Sequence, residues 1–560
     1  MLPRLESEGS GEGGRRATVA LNSIDGTQAE IPAARARLDR VYQGSDSGSG
    51  ESAPPIELPE GIDWFQMAAD KMKMVLPPNI GEAALELLSE SEDKQVQEVS
   101  AAIFDITYKR FVDRLIELHG KGVKVRVLMD RTQARGAFSQ YKRMKEAGLD
   151  VLILTGKTPA SKASAMDLAQ GLNFEGRMHE KVMFARFRQF GQDKKAAMWG
   201  SANASLAAFG NEQEWRNWEL ATPTIFPAEA PNTMVEKISA DFEALWELAK
   251  HEPQTVSIEE LVEAPKEVDF SEIEARLPLK SAVLKKLFGQ VDQDWFNIPA
   301  KIWYAFLNPP QIGEAVLRAL NQGRTDELLV AMYTLSYAPL LDAVIRLRQS
   351  GTRLKVIVDK KNADGAKIKR LLDAGVDVRI LGGRISNAIV KAFKRAGMHV
   401  IGGIMHCKLL LARRAEGARV SAWGSANAST YSWGDEGEWG NREMLTLSYS
   451  PKDSEDPLFD RFQQAFDLLW SLATPAHNPG KKRSTARKRG KRGRRASGAS
   501  GSPQLREGGR RVTLRSTGAS IVPELREGAD ASGSPLPLQR SGTIEAAVRR
   551  VELREGGGRS

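Results

Sequence analysis

Met178-His179-Glu180-Lys181, followed by Trp199-Gly200-Ser201-Ala202-Asn203-Ala204-Ser205 and then Asn217-Trp218-Glu219, returns later in the same chain as Met405-His406-Cys407-Lys408, Trp423-Gly424-Ser425-Ala426-Asn427-Ala428-Ser429 and Asn441-Arg442-Glu443. In both copies the serine of the GSAN turn precedes the asparagine by 16 residues and the glutamate by 18. Chance would scatter such spacings, so this is a duplicated site. A lone histidine near a lysine is commonly a solvated surface pair. Here two of only six histidines (His119, His179, His251, His399, His406, His477) occupy the same place in a repeat, which argues against that reading.

The residue types limit the chemistry. A histidine and a lysine two apart on a strand point to one face, so each copy offers an imidazole beside a fixed positive charge. The GSAN turn adds a hydroxyl and an amide that hydrogen-bond oxyanions. An ionised glutamate accepts only, and can hold an imidazole in one tautomer. Two such sets face to face supply a nucleophilic histidine, a second histidine as general acid and two lysines around one tetrahedral phosphorus. That is phosphodiester chemistry with no need of a metal or cofactor. His399 and His406 lack a surrounding carboxylate or cysteine cluster, which argues against a metal site there.

The doubled pattern H-x-K, G-S-x-N, N-x-E resembles the phospholipase D superfamily in its two-motif form. The resemblance implies an α/β fold of two sandwich halves related by a pseudo-twofold axis, and a covalent phosphohistidine intermediate. It implies His179 as nucleophile and His406 as general acid and base. Lys181, Lys408, Asn203 and Asn427 would hold phosphoryl oxygens, and Glu219 and Glu443 would orient the histidines. Ser201 and Ser425 are supporting candidates. The family's usual aspartate, five residues after the lysine, is replaced by Arg186 and Arg413 in the two halves. The tyrosyl-DNA phosphodiesterase branch also lacks it, and a binding-only descendant remains an alternative.

The duplication reaches far beyond the motifs. Asp63-Trp64-Phe65 returns as Asp294-Trp295-Phe296, and residues 77–83 (PPNIGEA) as 309–315 (PPQIGEA). Residues 100–107, 122–130 and 147–151 match 328–335, 351–359 and 374–378. Strand patterns alternating with helical ones predict a mostly parallel or mixed sheet in each half, covered by helices. Each half should close on a Trp-bearing helix, near residues 242–248 and 466–472. The expected layout is an extension over 1–60, a first half over 61–251, a linker over 252–292, a second half over 293–474 and a basic tail over 475–560. Both extensions are expected to be disordered, the first because its composition buries too little apolar surface to offset chain entropy. The active site should be complete within one chain.

The 560 residues, 41% of them hydrophobic, suffice for several cored domains. The single cysteine, Cys407, excludes an internal disulfide; between the motif's His and Lys it reads as a buried apolar residue. No apolar run is long enough to cross a bilayer, and residues 1–16 lack a signal peptide's hydrophobic segment, so a soluble cytoplasmic protein is expected. Residues 481–495 contain ten Lys or Arg and no acid, and 501–560 add ten basic against seven acidic residues, giving this tail +13 in a chain of net charge +9. The first 480 residues therefore sum to −4. A polycation binds nucleic acid with strong salt dependence, or lies on an anionic membrane surface. It also resembles a nuclear localisation run, leaving nuclear or nucleoid association open. Loops over 156–177 and 382–404, carrying Lys157, Lys162, Arg177, Arg384, Lys391, Lys394 and Arg395, border the motifs and are expected to choose the substrate. Trp215, Trp218, Trp433 and Trp439 are candidates for stacking bases, or for core packing. Three substrate readings follow: nucleic acid phosphodiesters, favoured by the tail; phospholipid head groups; and a non-catalytic nucleic-acid scaffold.

Overall fold

The computed structural model describes residues 58–156, 176–229, 234–252, 254, 277, 281–363, 365–385, 387–395, 402–434 and 440–476. Most of the two extensions, most of the linker, the interiors of both long loops, His399, Trp439 and the 481–495 run lie outside the described residues. The described residues all fall in one compact unit.

The first half contributes β1 (Phe65–Gln66), β2 (Lys71–Met72), β3 (Lys94–Ile103), β4 (Lys124–Asp130), β5 (Asp150–Leu154), β6 (Lys181–Gln189), β7 (Gln192–Gly200) and β8 (Ala221–Pro227). The second contributes β9 (Trp303–Leu307), β10 (Thr325–Met332), β11 (Arg353–Asp359), β12 (Asp377–Leu381), β13 (Lys408–Arg414), β14 (Arg419–Gly424), β15 (Leu445–Ser450) and β16 (Thr474–Pro475). They form a sheet in the order β2-β8-β7-β6-β3-β4-β5 and another in the order β1-β9-β15-β14-β13-β10-β11-β12-β16. Both sheets are mixed: β3-β4-β5 and β10-β11-β12 run parallel, while β3 with β6 and β10 with β13 run antiparallel. The register slips at the same point of each sheet, between Val96 and Glu98 and between Thr325 and Glu327.

Parallel neighbours require a crossover, and amphipathic helices supply it. Lys109–Gly120 buries Phe111, Val112, Leu115 and Leu118, spaced for one helical face. Its counterpart Ala338–Gln349 buries Leu340, Leu341, Ala343 and Val344. The closing helices are Met234–Lys250 and Pro457–Leu472; each stacks a phenylalanine on a tryptophan one turn later, Phe242 on Trp246 and Phe466 on Trp470.

The repeated Asp-Trp-Phe segments are exchanged between the halves. β1 pairs with β9 of the second sheet, and Ile62 and Trp64 pack on the second core. Trp295 packs on the first core, and Met72 and Phe296 exchange backbone hydrogen bonds of 2.9 and 2.8 Å. Residues 61 and 293 thus begin segments that lie on the opposite half. Trp423, fully buried, donates from Nε1 to Thr222 Oγ1 at 3.2 Å and ties the two sheets at their centre.

Candidate active site

Each H-x-K motif approaches its strand paired with a segment of the opposite half. Met178 bridges Arg442 and His179 N donates to Arg442 O at 2.8 Å; Met405 bridges Trp218 and His406 N donates to Trp218 O at 2.8 Å. The N-x-E segment of one half therefore runs beside the histidine of the other, and the pairs cross. His179 Nδ1 lies 2.9 Å from Glu443 Oε2, and His406 Nδ1 lies 2.9 Å from Glu219 Oε1. The two imidazoles stand 6.3 Å apart, centroid to centroid, at 79°.

The histidine and lysine of each motif meet the same aromatic ring, Phe104 in the first half and Tyr333 in the second, although the two do not both lie within a strand. β6 and β13 begin at the lysines, and each histidine sits in the preceding approach. Each lysine folds back on its own motif: Lys181 Nζ donates to His179 O at 2.6 Å and Lys408 Nζ to His406 O at 2.8 Å. Two further hydrogens of each ammonium remain for a ligand. The approach is anchored from behind by Asp130 and Asp359, which end β4 and β11 and accept from Met178 N at 3.1 Å and Met405 N at 2.7 Å.

The GSAN turns form where β7 and β14 end against the next strand. A Cβ on Gly200 would meet Leu220 O at 2.3 Å, and one on Gly424 would meet Met444 O at 2.3 Å, so only glycine fits. The serine hydroxyls turn to the glutamates: Ser201 Oγ donates to Glu219 Oε2 and Ser425 Oγ to Glu443 Oε2, both at 2.6 Å. Asn217 and Asn441 donate to the same carboxylates at 3.1 and 2.9 Å. Asn203 and Asn427 differ from these, since the Oδ1 of each is buried without a hydrogen-bond partner among the described residues.

Two pairs of groups at the site escaped the sequence reading. Phe104 packs edge-on against His179 at 4.8 Å and Tyr333 against His406 at 5.0 Å, and Lys181 and Lys408 lie over the same rings. Asp130 and Asp359 are the second pair. Asp130 and Asp359 occupy matched places in the 122–130 and 351–359 repeat, which was the available signal for them; the backbone hydrogen bonds set Phe104 against Tyr333, one residue off the match of 100–107 with 328–335, so the sequence alignment paired Phe104 with Met332 and hid the two rings.

Burial governs the titration. It lowers His179 to about 3 and His406 to about 4, against the raising pull of Glu443 and Glu219, so both rings are neutral at pH 7. Burial lowers Lys181 to about 8 and Lys408, with Lys181 beside it, to about 7. For Glu219 and Glu443 burial acts upward, but the facing imidazoles and the lysines outweigh it and hold both below the ordinary carboxylate value. With Nδ1–H donated to a carboxylate, Nε2 of each ring carries the free lone pair.

Several candidates stand elsewhere. Arg186 lies exposed, 3.7 Å from Glu98, and Arg413 donates to Gln463 Oε1 at 2.8 Å over the Phe459 ring. Trp215, Trp218 and Trp433 are buried, which corrects any role in stacking bases at the surface. Arg384 lies over Trp215 and donates to Glu212 O at 2.7 Å, which uses it to join the halves. Cys407 is buried, and burial pushes its thiol up. Among the described residues no group of three or more His, Cys, Asp or Glu side chains is arranged to hold a metal ion.

A family model described as "Cardiolipin synthase, PLD-like domain" matches residues 85–246 and 316–470, and the chain belongs to this phospholipase D-like family. Among solved structures, polyphosphate kinase from Porphyromonas gingivalis is similar at 12% identity and TM-score 0.39, over 73% of this chain and 48% of that one. This chain thus spans about half the length of that kinase. Yeast tyrosyl-DNA phosphodiesterase is similar at 10% identity and TM-score 0.37, over 69% and 91% of the two chains. NucT from Helicobacter pylori is similar at 20% identity and TM-score 0.23, over 32% and 96%. A search of curated proteins found no match.

Proposed function

We propose that the protein is a phosphodiesterase acting through a phosphohistidine, with nucleic acid as its substrate class. The observation that carries this is the crossed pair of glutamate-held imidazoles 6.3 Å apart, each beside a buried lysine. His179 Nε2 attacks phosphorus while the bond to the leaving oxygen breaks, and His406 Nε2–H protonates that oxygen. Water or an alcohol then attacks phosphorus, His406 Nε2 takes its proton, and the P–N bond breaks to restore His179. Lys181, Lys408, Asn203 and Asn427 hold the non-bridging oxygens. Both rings are neutral in the free enzyme; the negative charge of the bound diester raises His406 and loads the proton it must give. The polybasic run 481–495 supports nucleic acid over other diesters.

A second reading, transfer or hydrolysis of phospholipid head groups, is favoured by the cardiolipin synthase description of the family model. Among the described residues no helix is long and apolar enough to cross a membrane.

The test is pre-steady-state turnover of bis-p-nitrophenyl phosphate in EDTA. p-Nitrophenolate leaves without an acid, so His406→Ala should give a burst equal to the enzyme concentration and then stall. His179→Ala should give no burst and lose about 10³-fold or more in rate. A burst in His179→Ala and none in His406→Ala reverses the two roles, and loss of wild-type activity in EDTA removes the metal-free mechanism. Labelled single-stranded DNA and phosphatidylglycerol vesicles, assayed alongside, separate the two substrate readings.

A further inference from the structure

Between the H-x-K and GSAN motifs of each half runs a short connection whose backbone is pinned to both. In the first half Phe104 N donates to Glu180 O at 2.8 Å, and Thr107 N and Tyr108 N donate to Ala204 O at 3.0 Å. In the second, Tyr333 N donates to Cys407 O at 3.0 Å, and Ser336 N and Tyr337 N donate to Ala428 O at 2.7 and 2.9 Å. Within each span one residue directly follows the aromatic ring that packs on the histidine. It is Asp105 in the first half and Thr334 in the second. The same backbone frame therefore carries a carboxylate in the first half and a threonine at the matched place in the second.

Asp105 is half-buried, has Lys181 and Asp130 as charged neighbours, and has no hydrogen-bond partner among the described residues. Thr334 in the same frame shows that the fold does not require an acid there. A carboxylate at a phosphate site weakens anion binding generally, so its presence calls for a compensating contact with substrate. Burial raises Asp105 to about 6, with Lys181 acting downward, so at neutral pH it is chiefly an ionised acceptor.

We propose that Asp105 is a specificity-determining residue that accepts a hydrogen bond from a donor, an ammonium or hydroxyl, on the group that stays attached to phosphorus at the His179 side. This rests on the phosphodiesterase reading with His179 as nucleophile: the leaving oxygen departs toward His406 and Thr334, and the retained substituent lies toward Asp105. A half-buried acceptor beside Lys181 left without its donor costs a polar site more than a lost methylene contact, so discrimination of about 10-fold is expected.

The probes are 2-aminoethyl p-nitrophenyl phosphate and its near-isostere propyl p-nitrophenyl phosphate, which share a leaving group and differ in the retained donor. For the wild type, kcat/KM should favour the aminoethyl ester by about 10-fold. In Asp105→Asn and Asp105→Thr the ratio should fall to within about twofold, with kcat/KM on the propyl ester raised because the repelling charge is gone. A merely structural role lowers both esters together and leaves the ratio intact, and that outcome overturns the proposal, as does a wild type without preference. Failure of the wild type to turn over either ester overturns the phosphodiesterase reading itself, and this inference with it.

Discussion

Lys181 and Lys408 work only as cations, and burial has moved both toward neutrality. A lysine is charged below its pKa, so as pH rises through about 7 and then about 8 the positive charge holding the phosphoryl oxygens is lost. The kcat/KM for bis-p-nitrophenyl phosphate, whose own charge is constant here, should fall on that basic limb; a profile flat to pH 9 would sink the assignment. The crossed pairing gives a second prediction. Glu443→Gln should slow the burst, because it releases His179, while Glu219→Gln should leave the burst and slow the steady rate through His406. Each loss is expected near 10–100-fold, the usual cost of removing an orienting partner.

At the scale of the elements, the two halves part company behind the motif. Glu180 is buried near Asp241 of the helix Met234–Lys250, and its carboxyl oxygens have no hydrogen-bond partner among the described residues. Two carboxylates buried side by side disfavour joint ionisation, so this pair favours holding a proton. The matched positions of the second half are Cys407 and Ala465, as the stacked Phe242–Trp246 and Phe466–Trp470 pairs align the helices. Burial, then Asp241 and Glu443, push Glu180 well above its ordinary value, while Arg442 acts downward. A raised folded-state pKa means that stability is fullest below the unfolded value and declines as pH rises through the folded one. The double variant Glu180→Cys, Asp241→Ala should therefore be more stable than wild type by about 1–4 kcal/mol at pH 8. The gain should shrink at pH 5. Urea unfolding at the two pH values checks this, and an equal difference at both removes the shared-proton account.

For the whole molecule, the exchange of segments makes each half dependent on the other. A chain stopped before residue 293 would carry His179 without Glu443 and β1 without β9, and should be inactive. The tail acts on a separate term. Ending the chain at Ala476 removes the ten cations of residues 481–495, so binding of labelled single-stranded DNA should weaken and the slope of log K against log salt should flatten by up to about 7. Turnover of the small chromogenic diester should be unaffected. Anisotropy titrations at several salt concentrations measure the slope, and an unchanged slope would remove the tail from binding.

Much of this is legible in the order of the amino acids. The repeated H-x-K, GSAN and N-x-E motifs, with their equal spacings, point to the histidines, the serines, the N-x-E asparagines and the glutamates that meet in the crossed His–Glu pairs, and the repeated strand and helix periods imply two mixed sheets. Local patterns carry such information because period and turn chemistry are set by near neighbours. The tertiary structure alone decided which glutamate holds which histidine, since the two copies are equivalent in pattern and only the face-to-face meeting of the halves brings Glu443 to His179 and Glu219 to His406. It also decided that the serines serve the glutamates, that Trp215, Trp218 and Trp433 are interior, and that Phe104, Tyr333 and Asp105 border the reacting groups. Those outcomes depend on contacts between residues up to 264 positions apart, and spacing along the chain does not encode them.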